Sequence, residues 1–182
     1  MGYGKERMKK LHLGCGTNYI KGWINIDLDS KLADKKLDLT KGLPYSEGSV
    51  SHIYSEHFIE HVSYTDFKKL LFDCYRVLIK GGVVRFSTPN LKWIVDCYIT
   101  NNLEGCKEHA WCPETACKMI NDNFSKWGHK YIYDREELTI CFLEAGFSDI
   151  KLCEWKQSEH AEFFNIESRF YHHDLIMEGT KR

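Results

Sequence analysis

The period of hydrophobic and polar positions changes several times along the 182-residue chain, and each change marks an element. KLHLG (10–14) reads as a short buried strand running into a glycine-rich turn. WINIDL (23–28) reads as a second strand ending on an acid, and KKLDL (35–39) as a short third. After the turn-rich LPYSEGS, VSHIYS (50–55) has the partial alternation of a fourth strand. Phe67, Leu70, Leu71, Cys74, Val77 and Leu78 then recur at helical spacing, predicting a helix over 64–82 that Gly81-Gly82 stops. VVRFSTP (83–89) is a fifth strand closed by proline, and LKWIVDCYIT (91–100) returns to the helical period.

Residues 101–130 lose any period, with Trp111 and Trp127 among polar groups. This aromatic stretch, reaching to about residue 133, predicts an inserted cap rather than a linker. DREELTICFLEAGF (134–147) is helical again, with Leu138, Cys141, Phe142 and Ala145 facing one way. IKLCEW (150–155) and FYHHDLIMEGTK (170–181) read as two closing strands with no helix between them. Strands alternating with helices predict an α/β fold, a doubly wound and mostly parallel sheet with helices on both faces. The closing pair predicts an antiparallel edge. Ligands of such sheets bind beyond the carboxyl ends of the strands.

Composition narrows the classes. The length suits a single domain, and 43% hydrophobic with 28% charged residues suits a soluble globular protein. A net charge of -1 with no basic patch argues against nucleic acid. No apolar run is long enough to span a bilayer, and MGYGKERMKK is too polar for a secretory signal, so a cytoplasmic location is expected. The eight cysteines include no C-x-x-C pair and are expected to be free thiols. Cys106, His109, Cys112 and Cys117 are ligand types that suit zinc, but their spacing matches no pair-plus-pair knuckle, and no metal site is expected.

LHLGCG (11–16) places G-x-G after a strand, where glycine lets the backbone turn tightly and approach a ligand. Asp27 ends the next strand, where a carboxylate can accept both hydroxyls of a ribose. The spacing departs from the dinucleotide pattern. Gly14 to Asp27 is 13 positions against the usual ~20. Tyr19 stands where a third glycine would be. A nucleoside lacking phosphates therefore fits better than a dinucleotide. SEHFIEH (55–61) has two readings: an H-x-x-E-H zinc-hydrolase motif (His57, Glu60, His61), or a strand end followed by a polar turn at a ligand site.

Taken in order, LHLGCGTNYIKGWINIDLD, LDLTKGLPYSEGSVSHIYSEHFIEHV, DCYRVLIKGGVVRFSTPNL and GHKYIYDREELTICFLEAGFSDIKL resemble the class I S-adenosylmethionine-dependent methyltransferases, in particular the small methyltransferase-11-like group. The resemblance covers most of residues 11–152 and implies a seven-stranded Rossmann-like sheet whose last strand is antiparallel. It implies S-adenosyl-L-methionine as cofactor. Gly14, Cys15 and Gly16 would line its methionine part, Asp27 would hold the ribose, and Leu28 would flank the adenine. Asp38 and Leu39 would contact the adenine, and Ser55, Glu56 and His57 would lie close to the sulfonium. His57 is the first candidate base for a hydroxyl acceptor. His129 is the second, since the family often places a histidine before that helix. Trp127 and Tyr131 would shape the acceptor pocket, and His172 and His173 are expected at a surface or edge of the closing strand.

Short relatives of this form resemble enzymes of glycan and cell-envelope biosynthesis, which implies O-methylation of a sugar or other small hydroxylated metabolite. The expected partner is that small-molecule acceptor; the oligomeric state stays open. Two other readings remain: a non-catalytic module binding the cofactor or a partner, and the zinc hydrolase.

Overall fold

The computed structural model describes residues 8–107, 111–169 and 173–182. Seven strands form one sheet: β1 (Lys9–Leu13), β2 (Ile24–Asp27), β3 (Lys35–Lys36), β4 (Val50–Glu56), β5 (Leu78–Thr88), β6 (Ser148–Leu152) and β7 (Leu175–Thr180). Their spatial order is β3-β2-β1-β4-β5-β7-β6. β1 to β5 run parallel, and β7 lies antiparallel between β5 and β6. The predicted α/β sheet with its antiparallel C-terminal strand is therefore what forms.

The two faces of the sheet differ chemically. Leu11, Leu13, Ile26, Ile53, Val84, Phe86 and Met177 belong to the main core. α1 (Tyr64–Val77) and α5 (Arg135–Glu144) deliver Phe67, Leu70, Leu71, Leu138 and Phe142 to that core. Gly179 lets α5 close in, because a Cβ there would meet the Phe142 ring at 2.4 Å. Both helices begin where their sequences set a cap. Ser63 accepts from the Asp66 N–H at 3.1 Å and Asp134 from the Glu137 N–H at 2.8 Å.

The other face carries a buried polar row. His12 is level with Asn25 and Tyr54, Tyr54 with Arg85, and Arg85 with Glu178. Irregular chain between β6 and β7 covers this row, with Phe163 packed against Trp23, Tyr54 and Val83. Arg85 is fully buried and holds this strap down. It donates to Glu167 at 2.6 Å, Glu178 at 2.5 Å and the Gln157 carbonyl at 3.0 Å. The segments between β1 and β2 and between β2 and β3 contain no helix, so the strap occupies the face where crossover helices would pack.

Some boundaries differ from those predicted. α1 stops at Val77 rather than at the glycine pair, because Leu78 is already extended and enters β5. Gly81 (φ 78°) lies inside the strand at a register shift, and Gly82 sits where a Cβ would come within 3.0 Å of the Ser51 carbonyl. The glycines serve the sheet, not the helix terminus. α2 (Leu91–Thr100), α3 (Glu104–Lys107) and α4 (Ala116–Ser125) pack around a small separate core of Ile94, Cys97, Cys106, Met119 and Ile132. No helix among the described residues is long and apolar enough to cross a membrane.

Glu167→Ala should destabilise the fold by ~3 kcal/mol, because it leaves the Arg85 guanidinium buried with one of its two carboxylates gone. Urea unfolding followed by circular dichroism checks this, and a loss under 1 kcal/mol would contradict it.

Candidate functional site

The glycine turn after β1 is built as a ligand cradle. Gly14 (φ 64°) and Gly16 (φ 52°) both take left-handed backbone. A Cβ on Gly14 would strike the Phe58 ring at 2.5 Å, whereas one on Gly16 would project into open space. Phe58 thus presses the turn against the segment that follows β4. Cys15 is buried, and burial pushes its thiol pKa up, so it packs rather than reacts. The side-chain Nδ2 of Asn18, just past the turn, is buried with no hydrogen-bond partner among the described residues. Such a donor is costly unless a ligand acceptor meets it.

Asp27 Oδ2 accepts the Gly16 N–H at 2.9 Å, and Oδ1 accepts those of Asp29 and Ser30, both at 3.0 Å. Partial burial works to raise its pKa, but the backbone donors outweigh it and hold the carboxyl below its ordinary value. Oδ1 is filled, while Oδ2 has capacity for one further donor. Leu28 beside it is exposed. Asp38 caps the turn that follows, accepting the Thr40 N–H at 3.1 Å and hydroxyl at 2.6 Å. The Leu39 side chain faces the main core.

At the end of β4, Ser55 is buried and donates its hydroxyl to the Leu13 carbonyl at 2.9 Å, tying β4 to β1. Glu56 is also committed to structure. Its carboxylate accepts the Ser168 N–H and the Arg169 N–H, each at 3.0 Å, and the Ser168 hydroxyl at 2.5 Å. Ser55 and Glu56 are thus anchors of the sheet and the strap, with their polar atoms already used.

His57 is the largest departure from expectation. It adopts left-handed backbone (φ 51°), and its side chain is only 8% exposed. Nε2 meets Asp174 Oδ2 at 2.7 Å, and Nδ1 lies 3.1 Å from Glu60 Oε1. Burial alone would lower its pKa; Asp174 and Glu60 outweigh that and raise it to about 9. At neutral pH the ring is an imidazolium, with Nε2 hydrogen-bonded to Asp174 and Nδ1 beside Glu60. It has no lone pair to offer, so the geometry argues against His57 as the base.

Nor does the zinc-hydrolase motif assemble. His57 follows the end of β4, whereas Glu60 and His61 sit in a separate 3-10 turn (Ile59–His61), not on one helix with it. The pair is met by His129 instead. Oxygen and nitrogen atoms of Glu60, His61 and His129 lie within 4.8 Å of one another. His129 Nδ1 donates to the Asn123 carbonyl at 2.7 Å, which fixes the tautomer and leaves Nε2 with a lone pair. Burial lowers its pKa despite that bond, so the ring is neutral at pH 7.

His57, His61 and His129 line a pocket of about 580 Å³ beyond the carboxyl ends of β4 and β5. Trp93, Trp111 and Trp127 supply aromatic walls, and Asn90, Lys126 and Arg169 polar ones. Trp127 lines it as expected; Tyr131 packs on Tyr64 and Tyr133 instead. His173, expected at an edge, lines the pocket and stacks on Trp93 at 4.6 Å. His172 and His109 lie outside the described residues. Cys106 is buried in the cap, and Cys112 and Cys117 are exposed. A second groove, between residues 40–44 and α1, has its Arg76 guanidinium tied to Asp73 and to the Tyr45 and Leu43 carbonyls.

The sequence profile of a family described as a methyltransferase domain matches residues 11–86, the span that carries the glycine turn, Asp27, Asp38, Glu60 and His61. Among curated proteins there is no significant match. Solved structures align over nearly the whole chain. A SAM-dependent methyltransferase from Archaeoglobus fulgidus aligns at TM-score 0.62 and 16% identity, covering 95% of this chain and 86% of that one. One from Mesorhizobium loti gives 0.60 and 17%, covering 95% and 90%. A possible histamine N-methyltransferase from Thermotoga maritima gives 0.59 and 17%, covering 96% and 82%. At these identities the likeness is one of fold.

His57 carries a prediction for pH. Its folded pKa of about 9 lies above the 6.5 of an unperturbed histidine. The stability it contributes is therefore complete below about pH 6.5 and lost as pH rises through about 9. Denaturation midpoints should fall over that window, and a His57→Gln protein should lack this part of the slope. Equal slopes in the two proteins would refute the assignment.

Proposed function

We propose that this chain is a class I S-adenosylmethionine-dependent methyltransferase, a reading supported by its fold and by the family match over residues 11–86, and that it O-methylates a sugar or other small hydroxylated metabolite. S-adenosylmethionine, when bound, supplies a methyl group already activated on a positively charged sulfur. The residues at the glycine turn fit it: Gly14 and Gly16 allow close approach, the orphaned Asn18 amide offers a donor to its amino-acid end, and Asp27 Oδ2 has room for a ribose hydroxyl. Exposed Leu28 and the Asp38 turn would flank the base.

The protein's remaining work is to hold an acceptor in line and receive its proton. The observation that carries this reading is His129. It is neutral, its tautomer is fixed by Asn123, and its free Nε2 borders the tryptophan-lined pocket. As the acceptor oxygen bonds to the methyl carbon and the carbon–sulfur bond breaks, Nε2 takes the hydroxyl proton. The Trp93, Trp111 and Trp127 faces suit the apolar face of a sugar ring, with Asn90 and Arg169 as donors to its hydroxyls. The resemblance of short chains of this form to glycan and cell-envelope enzymes supports that acceptor class. His57 becomes a positioning residue that holds Glu60 and Asp174 at the pocket wall.

Calorimetry with S-adenosylhomocysteine should show Asp27→Ala binding at least tenfold more weakly than wild type; an unchanged affinity removes the ribose assignment. His129→Ala should keep that affinity and lower kcat 10²- to 10⁴-fold on the acceptor found by screening hydroxylated sugars. Normal turnover would exclude it as the base. Tight cofactor binding with no transfer to any acceptor would favour a non-catalytic binding module.

A further inference from the structure

The wall formed by Glu60, His61 and His129 has more in it than a base requires. Glu60 is wholly buried, and its two oxygens are unequal. Oε2 accepts the Thr88 hydroxyl at 3.0 Å. Oε1 has no hydrogen bond of good geometry among the described residues, although His57 Nδ1 is 3.1 Å away. His61 Nε2 lies 3.9 Å from the same oxygen. A buried carboxylate oxygen without a well-aligned donor has room for a further partner beside His57.

Two imidazoles face that oxygen. The His61 and His129 rings lie 5.0 Å apart. The candidate ligand atoms, one from each residue, are mutually within 4.8 Å. Ligand atoms ~2.1 Å from a common ion sit ~3.4 Å apart in a tetrahedron, so only a small contraction of the side chains is needed. The supporting contacts are of the kind that orient metal ligands: His129 Nδ1–H on a backbone carbonyl, and Glu60 on a threonine hydroxyl. The fourth position opens into the 580 Å³ pocket.

The geometry points to a divalent transition-metal site made by Glu60, His61 and His129, two imidazoles and a carboxylate with an open coordination position toward the acceptor. That donor set suits zinc, cobalt, iron(II) or manganese rather than calcium or magnesium. Binding of the ion does not depend on the methyl-transfer reading, but its role does: with Nε2 of His129 bound to metal, the ion replaces that nitrogen as the group that polarises the acceptor hydroxyl, whose proton leaves to solvent.

Cobalt(II) is the probe, because its visible spectrum reports ligand type and separates this site from the exposed Cys112 and Cys117. Chelator-stripped full-length protein titrated with cobalt should bind one ion with a nitrogen–oxygen spectrum lacking a thiolate charge-transfer band. His61→Ala, at a partly exposed position that tolerates change, and His129→Ala should each weaken binding at least tenfold, while Cys112→Ser and Cys117→Ser should leave it unchanged. A thiolate spectrum, unaltered affinity in both histidine variants, or no binding by protein that still takes up S-adenosylhomocysteine would each overturn the metal site and leave the methyltransferase reading standing. Cobalt bound as described in a protein with no affinity for S-adenosylhomocysteine would keep the site and remove that reading.

Discussion

The imidazolium of His57, held between Glu60 and Asp174, is the contact on which the pocket depends. It joins the carboxyl end of β4 to the residue that leads into β7, 117 positions away in sequence. Two buried carboxylates close together would repel, and one would be driven neutral. The cation between them opposes that repulsion and holds both in place. The left-handed backbone at His57 is a strained conformation for a residue with a side chain, and the two carboxylates hold it there. Ser87 adds a hydroxyl to the same Asp174 oxygen at 3.2 Å, so β4, β5 and the approach to β7 meet at one point.

From that point the asymmetry of the sheet follows. On the helix-covered face, apolar side chains are buried by α1 and α5, and the interaction is non-directional. On the opposite face, a short β1–β2 connection leaves no helix to do the same. Its polar row is buried instead by a strap whose attachments are directional: Arg85 to Glu167 and Glu178, and Glu56 to the Ser168 and Arg169 amides. The same attachments bring Arg169 to the pocket rim and lead the chain toward His173 and Asp174. The strap is thus both the cover of the sheet and one wall of the pocket.

What could be read from the sequence was whatever local chemistry determines. The glycine turn, the α2 limits at 91–100 and the caps at Ser63 and Asp134 are written in neighbouring residues. The two C-terminal strands were legible from their apolar runs, although β7 begins at Leu175, five residues later than the periodicity indicates. The strap was illegible because Glu167 and Ser168 look like solvated polar residues until Arg85 and Glu56 are set beneath them. The setting of His57 is illegible for the same reason. Its nature as cation or base is decided by Asp174, which no local pattern connects to it. Glu56 and Ser55 have the composition of a site but the contacts of an anchor.

The histidines show how a single motif distributes its parts. In SEHFIEH, one histidine is buried as a counter-ion, and in the 3-10 turn that follows the glutamate is buried while the second histidine lines the pocket. His129 reaches them from the far side of the cap, held by the Asn123 carbonyl at the end of α4 and by the packing of Trp127 on its ring. The Lys130 N–H returns to the Glu60 carbonyl at 2.7 Å, so the backbone of the cap is fastened to the same turn that supplies two of the three polar groups. The spacing between Glu60, His61 and His129 is therefore set by main-chain hydrogen bonds rather than by side-chain rotamers alone. A wall preorganised in that way can keep one geometry for a proton, a hydroxyl or an ion, which is what either form of acceptor activation requires.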